Sequence, residues 1–220
     1  MTAIKRICLV LAICAVLTGP SLAKQQRAGA FDYYTLALSW SPTFCRSAAG
    51  QRSPAQCSPG RRFAFVVHGL WPQFAKGWPS FCRSSERWVD DRQIRQMMDV
   101  MPSKGLIIHQ WKKHGTCSGL TQDGYFDLTR QLFGKIKIPA RYLSPTDPVR
   151  ISPRQLVVDF LKTNRNLEAD MISVQCGNSR GTANLRELRI CFNRYGELAA
   201  CGTNERRQCR AQTLIMPPVR

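Results

Sequence analysis

Apolar and polar positions alternate from Phe31 to Trp40, which predicts a strand with Tyr34, Leu36, Leu38 and Trp40 on one face. Ser41-Pro42 ends it, and a loop rich in Ser, Gly, Pro and Arg follows from Arg46 to Arg61. Cys45 and Cys57 flank that loop and are placed to close it. Arg62 to Val67 is a continuous apolar run, read as a buried strand that delivers His68 at its end, where Gly69 permits a sharp turn. Asp90 to Met101 predicts a helix with acidic residues in its first turn and Pro102 beyond it. Further helices are predicted over Leu106 to Thr116, Gly124 to Ile136 and Pro153 to Thr163, the last opened by the Ser152-Pro153 cap. Lys137 to Ile151, with three prolines, reads as loop. The pattern returns to strands at Met171 to Cys176, Leu185 to Asn193 and a short piece near Ala199 to Cys201. Strands at both ends with helices between predict an α+β domain.

The N-terminus changes the compartment. Lys5 and Arg6 precede the apolar run Ile7 to Leu17, and Ser21-Leu22-Ala23 fits a small-residue cleavage site, so residues 1–23 are expected to be a removed secretory signal. As a membrane anchor the run is too short. The remaining residues 24–220 are the length of one domain with its own core. Export is expected, to a periplasm or beyond the cell, with no membrane association of the mature chain. Of the ten cysteines, Cys8 and Cys14 leave with the signal, and an even set in an exported chain reads as a disulfide framework. No CxxC pair is present and the spacings are long and irregular, which argues against structural zinc. The formal charge of +18 is spread along the chain rather than gathered in a tail. It favours salt-dependent encounter with a polyanion, but a merely solvated basic surface would look the same.

The candidate chemistry sits in two blocks. Only three histidines occur, His68 in residues 65–72 (FVVHGLWP) and His109 and His114 in residues 109–117 (HQWKKHGTC). On a helix, His109, Lys113, Gln110 and His114 fall at roughly 0°, 40°, 100° and 140°, with Trp111 and Lys112 outside the arc. Two imidazoles, an ammonium and an amide thus face one way. A zincin would place its histidines four apart around a glutamate, whereas these are five apart and lack it. Neither block carries the clustered carboxylates of a metal nuclease, so no metal or cofactor is expected. The set does suit RNA cleavage by the substrate's own 2′-hydroxyl, which needs a base, an acid and cations for the phosphorane. Trp111 and Trp40 are read as core.

Residues 65–72 and 109–117 resemble the two signature segments of the ribonuclease T2 family. The Tyr34 to Pro42 pattern YTLALSWSP and the Leu185 to Phe192 strand LRELRICF are also similar to it. The resemblance implies a central, mainly antiparallel sheet flanked by helices and stapled by disulfides. It also implies a metal-independent endoribonuclease of low base specificity, acting on single-stranded RNA through a 2′,3′-cyclic phosphate to a 3′-phosphate. His114 would be the general base, His68 the general acid, His109 a phosphate ligand and Lys113 a stabiliser of the transition state. Trp71 would stack on a base, and Gln73 would stand where some members read a base edge. Implied disulfides are Cys82–Cys117, Cys176–Cys209 and Cys191–Cys201, with Cys45–Cys57 as the local bridge. A monomer is expected, with RNA as substrate and no obligate protein partner. One position departs from the family: Gln110 stands where members carry Glu after the first histidine. If that acid assists the transition state, this chain should be slower, and a weakly active or non-catalytic RNA binder on the same scaffold is the alternative.

Overall fold

The computed structural model describes residues 27–177 and 180–219, so the expected signal at residues 1–23 lies outside the described residues. In chain order the elements are β1 (Tyr33–Trp40), three short helices α1 (Ser41–Cys45), α2 (Ala48–Gln51) and α3 (Pro54–Cys57), and β2 (Phe65–Gln73). The helical layer follows, with α4 (Asp91–Met97), α5 (Lys104–Lys113) and α6 (Gln122–Lys135). After them come β3 (Val149–Ile151), α7 (Pro153–Thr163), β4 (Ile172–Cys176), β5 (Thr182–Asn193) and β6 (Thr213–Met216). The strands run in the order β2-β1-β5-β6-β3, with β4 also paired to β5. Every pairing is antiparallel except β5 with β6.

Local chemistry explains the helix starts. Side-chain oxygens of Asp90, Ser103, Thr121 and Ser152 each accept a backbone N–H of the first turn that would otherwise lack a partner. Pro153 then opens α7 with a preset φ. Apolar faces of α4, α5 and α6 close over β1 and β2, burying Tyr34, Leu36, Leu38, Trp40, Ile107, Trp111, Tyr125 and Phe126 in one core. The other face of β1 is covered too, for Tyr33, Thr35 and Ala37 are buried. Thr35 Oγ1 and the Tyr33 hydroxyl donate to the buried Glu205 carboxylate from the C-terminal segment.

Several boundaries differ from the sequence expectations. The predicted loop 46–61 contains α2 and α3, and the predicted loop 137–151 ends in β3. The strand expected near Ala199 is a single bridge between Phe192 and Leu198. Among the described residues four disulfides join Cys45 to Cys57, Cys82 to Cys117, Cys176 to Cys209 and Cys191 to Cys201. Among the described residues no helix is long and apolar enough to cross a membrane.

Candidate active site

The strand carrying His68 does not stop there. β2 runs on to Gln73, and its register against β1 slips: Ala37 pairs with Gly69 and Leu38 with Val67. His68 is therefore the extra residue of a β-bulge, a device that re-aims a side chain without ending the strand. Gly69 makes no sharp turn. Its missing Cβ makes room instead, because a methyl there would lie 2.0 Å from Gln110 Oε1 and 2.5 Å from Trp71 Nε1. Glycine at this position lets α5 approach β2.

The motif helix, predicted over Leu106 to Thr116, starts and ends earlier in the chain. α5 ends at Lys113, and His114 is its C-cap, with φ −119° and its N–H donated to Gln110 O at 2.9 Å. The chain then tightens into a 3₁₀ turn over Gly115–Cys117. A Cβ on Gly115 would meet the Trp111 ring at 2.3 Å, so glycine allows this turn to sit on the core. His109, Gln110 and Lys113 thus present the helical face, and His114 joins them from the cap.

Trp71 brings the two blocks together. Its ring lies 5.3 Å from His68, edge-on, and 5.5 Å from His114, stacked at 30°. Its indole N–H donates to Gln110 Oε1 at 2.8 Å. Arg189, from β5, stands 5.0 Å over the same indole. The Trp71 indole thus stands beside both imidazoles with Arg189 also against it, and it remains part-exposed. Gln73 is only 4 % exposed, with its side-chain oxygen accepting from Asn204 Nδ2 at 2.9 Å. Trp78, five residues past the end of β2, is 55 % exposed.

Electrostatics separates the two flanking histidines. His68 Nδ1 and Glu187 Oε1 are 2.5 Å apart, so the carboxylate holds Nδ1–H and leaves Nε2 for a substrate. The other Glu187 oxygen accepts from Arg189 Nε and Nη2 at 3.1 and 3.0 Å. Burial alone would raise the Glu187 pKa, but the hydrogen bond from His68 and the charges of His68 and Arg189 outweigh it and lower it to about 2. His114 is driven the opposite way. Burial, then the positive charges of Lys113, His109 and His68, lower it to about 3, so its ring is neutral at physiological pH. His109 is lowered by burial and by Lys113 and His68 as well. Among the described residues the buried His114 Nδ1 meets no hydrogen-bond partner.

These shifts make the fold acid-sensitive. His114 binds its proton near 6.5 when unfolded but only near 3 when folded, and Glu187 ionises near 4.5 unfolded but near 2 folded. In both cases the unfolded chain takes up protons first as pH falls, so stability present at neutral pH is lost with acidification. The urea midpoint should fall from pH 6.5 downward, most steeply between 4.5 and 3 where both groups contribute. His114→Gln should flatten the part between 6.5 and 4.5, and an unchanged slope in that variant would refute the assignment.

Glu187 and Arg189 are site residues that lie outside both histidine blocks. They lie in the LRELRICF strand, two positions apart and hence on one face, which was the available signal. Glu187 is 119 residues from His68, and only strand order makes them neighbours.

The family model described as "Ribonuclease T2 family" matches residues 31–201. The chain belongs to the ribonuclease T2 family. A ribonuclease from Aeromonas hydrophila is 36 % identical over 189 residues, covering 81 % of this chain and 79 % of the relative. Ribonuclease I of Escherichia coli is 27 % identical over 205 residues, covering 74 % of this chain and 75 % of that one. Among solved structures, trichomaglin, described as an S-like ribonuclease, superposes with a TM-score of 0.67 at 22 % identity, over 86 % of this chain and 99 % of its own. That last likeness concerns the fold.

Proposed function

We propose that this T2-family chain is an exported endoribonuclease that cleaves single-stranded RNA by 2′-hydroxyl attack, with residues 24–220 as its catalytic domain once residues 1–23 are removed. The observation that carries the reading is one indole, Trp71, beside both His68 and His114 and hydrogen-bonded to Gln110, with Lys113 and His109 close enough for their charges to act on His114. His114, neutral, takes the 2′ proton as the 2′-oxygen attacks phosphorus. His68, held by Glu187, gives its Nε2 proton to the departing 5′-oxygen, leaving a 2′,3′-cyclic phosphate. With the roles reversed, water opens the ring to a 3′-phosphate. Lys113 and His109 hold the phosphoryl oxygens. Because Gln110 Oε1 is committed to the indole, its amide N–H₂ is the group left to donate to the phosphorane, a role ionised glutamate cannot fill. Trp71, part-exposed beside the two imidazoles, is the base platform. The disulfide framework supports export to the periplasm or beyond, and the basic chain supports action on RNA.

The assay is cleavage of RNA in EDTA, with end analysis for cyclic phosphates and a 2′-deoxy control. Cleavage of the deoxy strand, or loss of cleavage in chelator, would overturn the reading. The pH dependence should be bell-shaped. The fields of Lys113 and His109 are offset when a phosphate sits between them, so the acid limb of kcat should lie at higher pH than that of kcat/KM. Gln110→Glu should change kcat less than loss of either His68 or His114. If Gln110→Ala proves as harmful as His114→Ala, the amide is a principal catalyst and this ranking fails.

A further inference from the structure

Beside the site lies a second feature that the mechanism does not use. Residues 81–88 have no regular secondary structure, yet they are fixed at several points along their length. Phe81 N–H donates to Lys113 O at 2.9 Å, Cys82 is bonded to Cys117, Trp111 Nε1 donates to Glu86 O at 2.8 Å, and Gln122 Nε2 donates to Trp88 O at 2.9 Å. This held segment and the outer side of α5 enclose a cleft of about 820 Å³. Two large aromatic rings stand open in it, Phe81 60 % and Trp88 81 % exposed, although burying them would be favourable. Arg83, Arg87 and Lys112 line the same cleft, and Lys112 Nζ lies 4.9 Å over the Trp88 ring. The carboxylate of Glu86 accepts the Gln122 backbone N–H at 2.8 Å at the start of α6, and its one negative charge is outnumbered by the cations Arg83, Arg87 and Lys112, so the lining is net positive. Phe81 is shared with the active site, its ring 6.4 Å from His109.

We infer that this cleft is an RNA-binding subsite that holds nucleotides beyond those at the scissile phosphate, with Trp88 stacking a base while Arg83, Arg87 and Lys112 pair with phosphates. Alternating aromatic faces and cations on a rigid support are what a single strand of any sequence requires. The strand would leave the His109–Lys113 phosphate position past Phe81 and continue along the outer side of α5. The inference rests on the ribonuclease reading above, and dinucleotide turnover tests that reading separately.

The test compares the wild-type chain with Trp88→Ala and with the double variant Arg83→Ala/Arg87→Ala. A dinucleoside monophosphate, which fills only the cleavage site, should be turned over at the wild-type kcat/KM by both variants. On a twelve-nucleotide RNA, KM should rise about tenfold for Trp88→Ala, the loss expected for one stacked base. For the double variant the slope of log kcat/KM against log salt should become shallower by about 1.4, corresponding to two phosphates released. Affinity for the all-2′-deoxy strand should fall in parallel. Equal losses on the dinucleotide and the long RNA would show a structural effect and overturn the proposal. So would unchanged KM on both, or polyphosphate competing equally well with wild type and Trp88→Ala, which would mark a general anion patch. If the wild type cleaves neither the dinucleotide nor the twelve-nucleotide RNA yet binds the deoxy strand through Trp88, the ribonuclease reading fails and the cleft is a single-strand-binding site without cleavage.

Discussion

Replacing His114 with alanine should lower kcat/KM toward RNA by about 10²–10⁴-fold, and replacing His68 should do the same. The two losses have different origins. His114 is buried to 5 % exposure and held neutral by burial and by the cations around it, so its deletion removes the proton acceptor. His68 has a carboxylate at Nδ1, so its deletion removes the donor for the leaving oxygen. An activated leaving group needs no such donor. A substrate with a nitrophenyl-type leaving group should therefore rescue His68→Ala substantially and His114→Ala little. Near-UV circular dichroism and melting should show both variants folded. Equal rescue of the two, or a fall of less than tenfold in either, would remove the proton-transfer assignment.

The second large effect is expected from the Cys82–Cys117 bridge. It closes a separation of 35 residues, for which the chain-entropy relation gives about 4 kcal/mol. The double Cys→Ser variant should lose stability of that order in urea titration. It should also lose kcat at temperatures where it remains folded, because Cys117 ends the 3₁₀ turn that follows His114. Removing Cys45–Cys57, which closes only the 12-residue separation between α1 and α3, should cost stability and leave kcat unchanged. If the two deletions affect kcat alike, the bridge at Cys117 has no particular hold on the catalytic cap.

How far the site could be read in advance depended on the distance over which each residue finds its partners. His68, His109, Lys113 and His114 sit in two dense blocks, and their residue types alone point to proton transfer and anion binding. The helices were legible because their caps lie within three residues of the groups they satisfy. In the sequence Gly69 suggests a turn, and only the packed structure shows that it is α5 pressing on it that requires glycine. Strand β6, four residues long and paired in parallel with β5, carries too short a pattern to stand out.

Sequence by itself determined the chemistry this protein can perform, because imidazoles, ammonium and amide bring their protonation behaviour wherever they are placed, and it determined the helices, whose periodicity and caps are local. Only the tertiary structure decided which histidine is kept neutral and which is paired with a carboxylate. That decision depends on burial, on a one-residue slip between β1 and β2, and on a strand from the far end of the chain carrying Glu187 and Arg189 to the cleft. Electric fields act through space, so residues distant along the chain contribute to them as strongly as neighbours once folding brings them close.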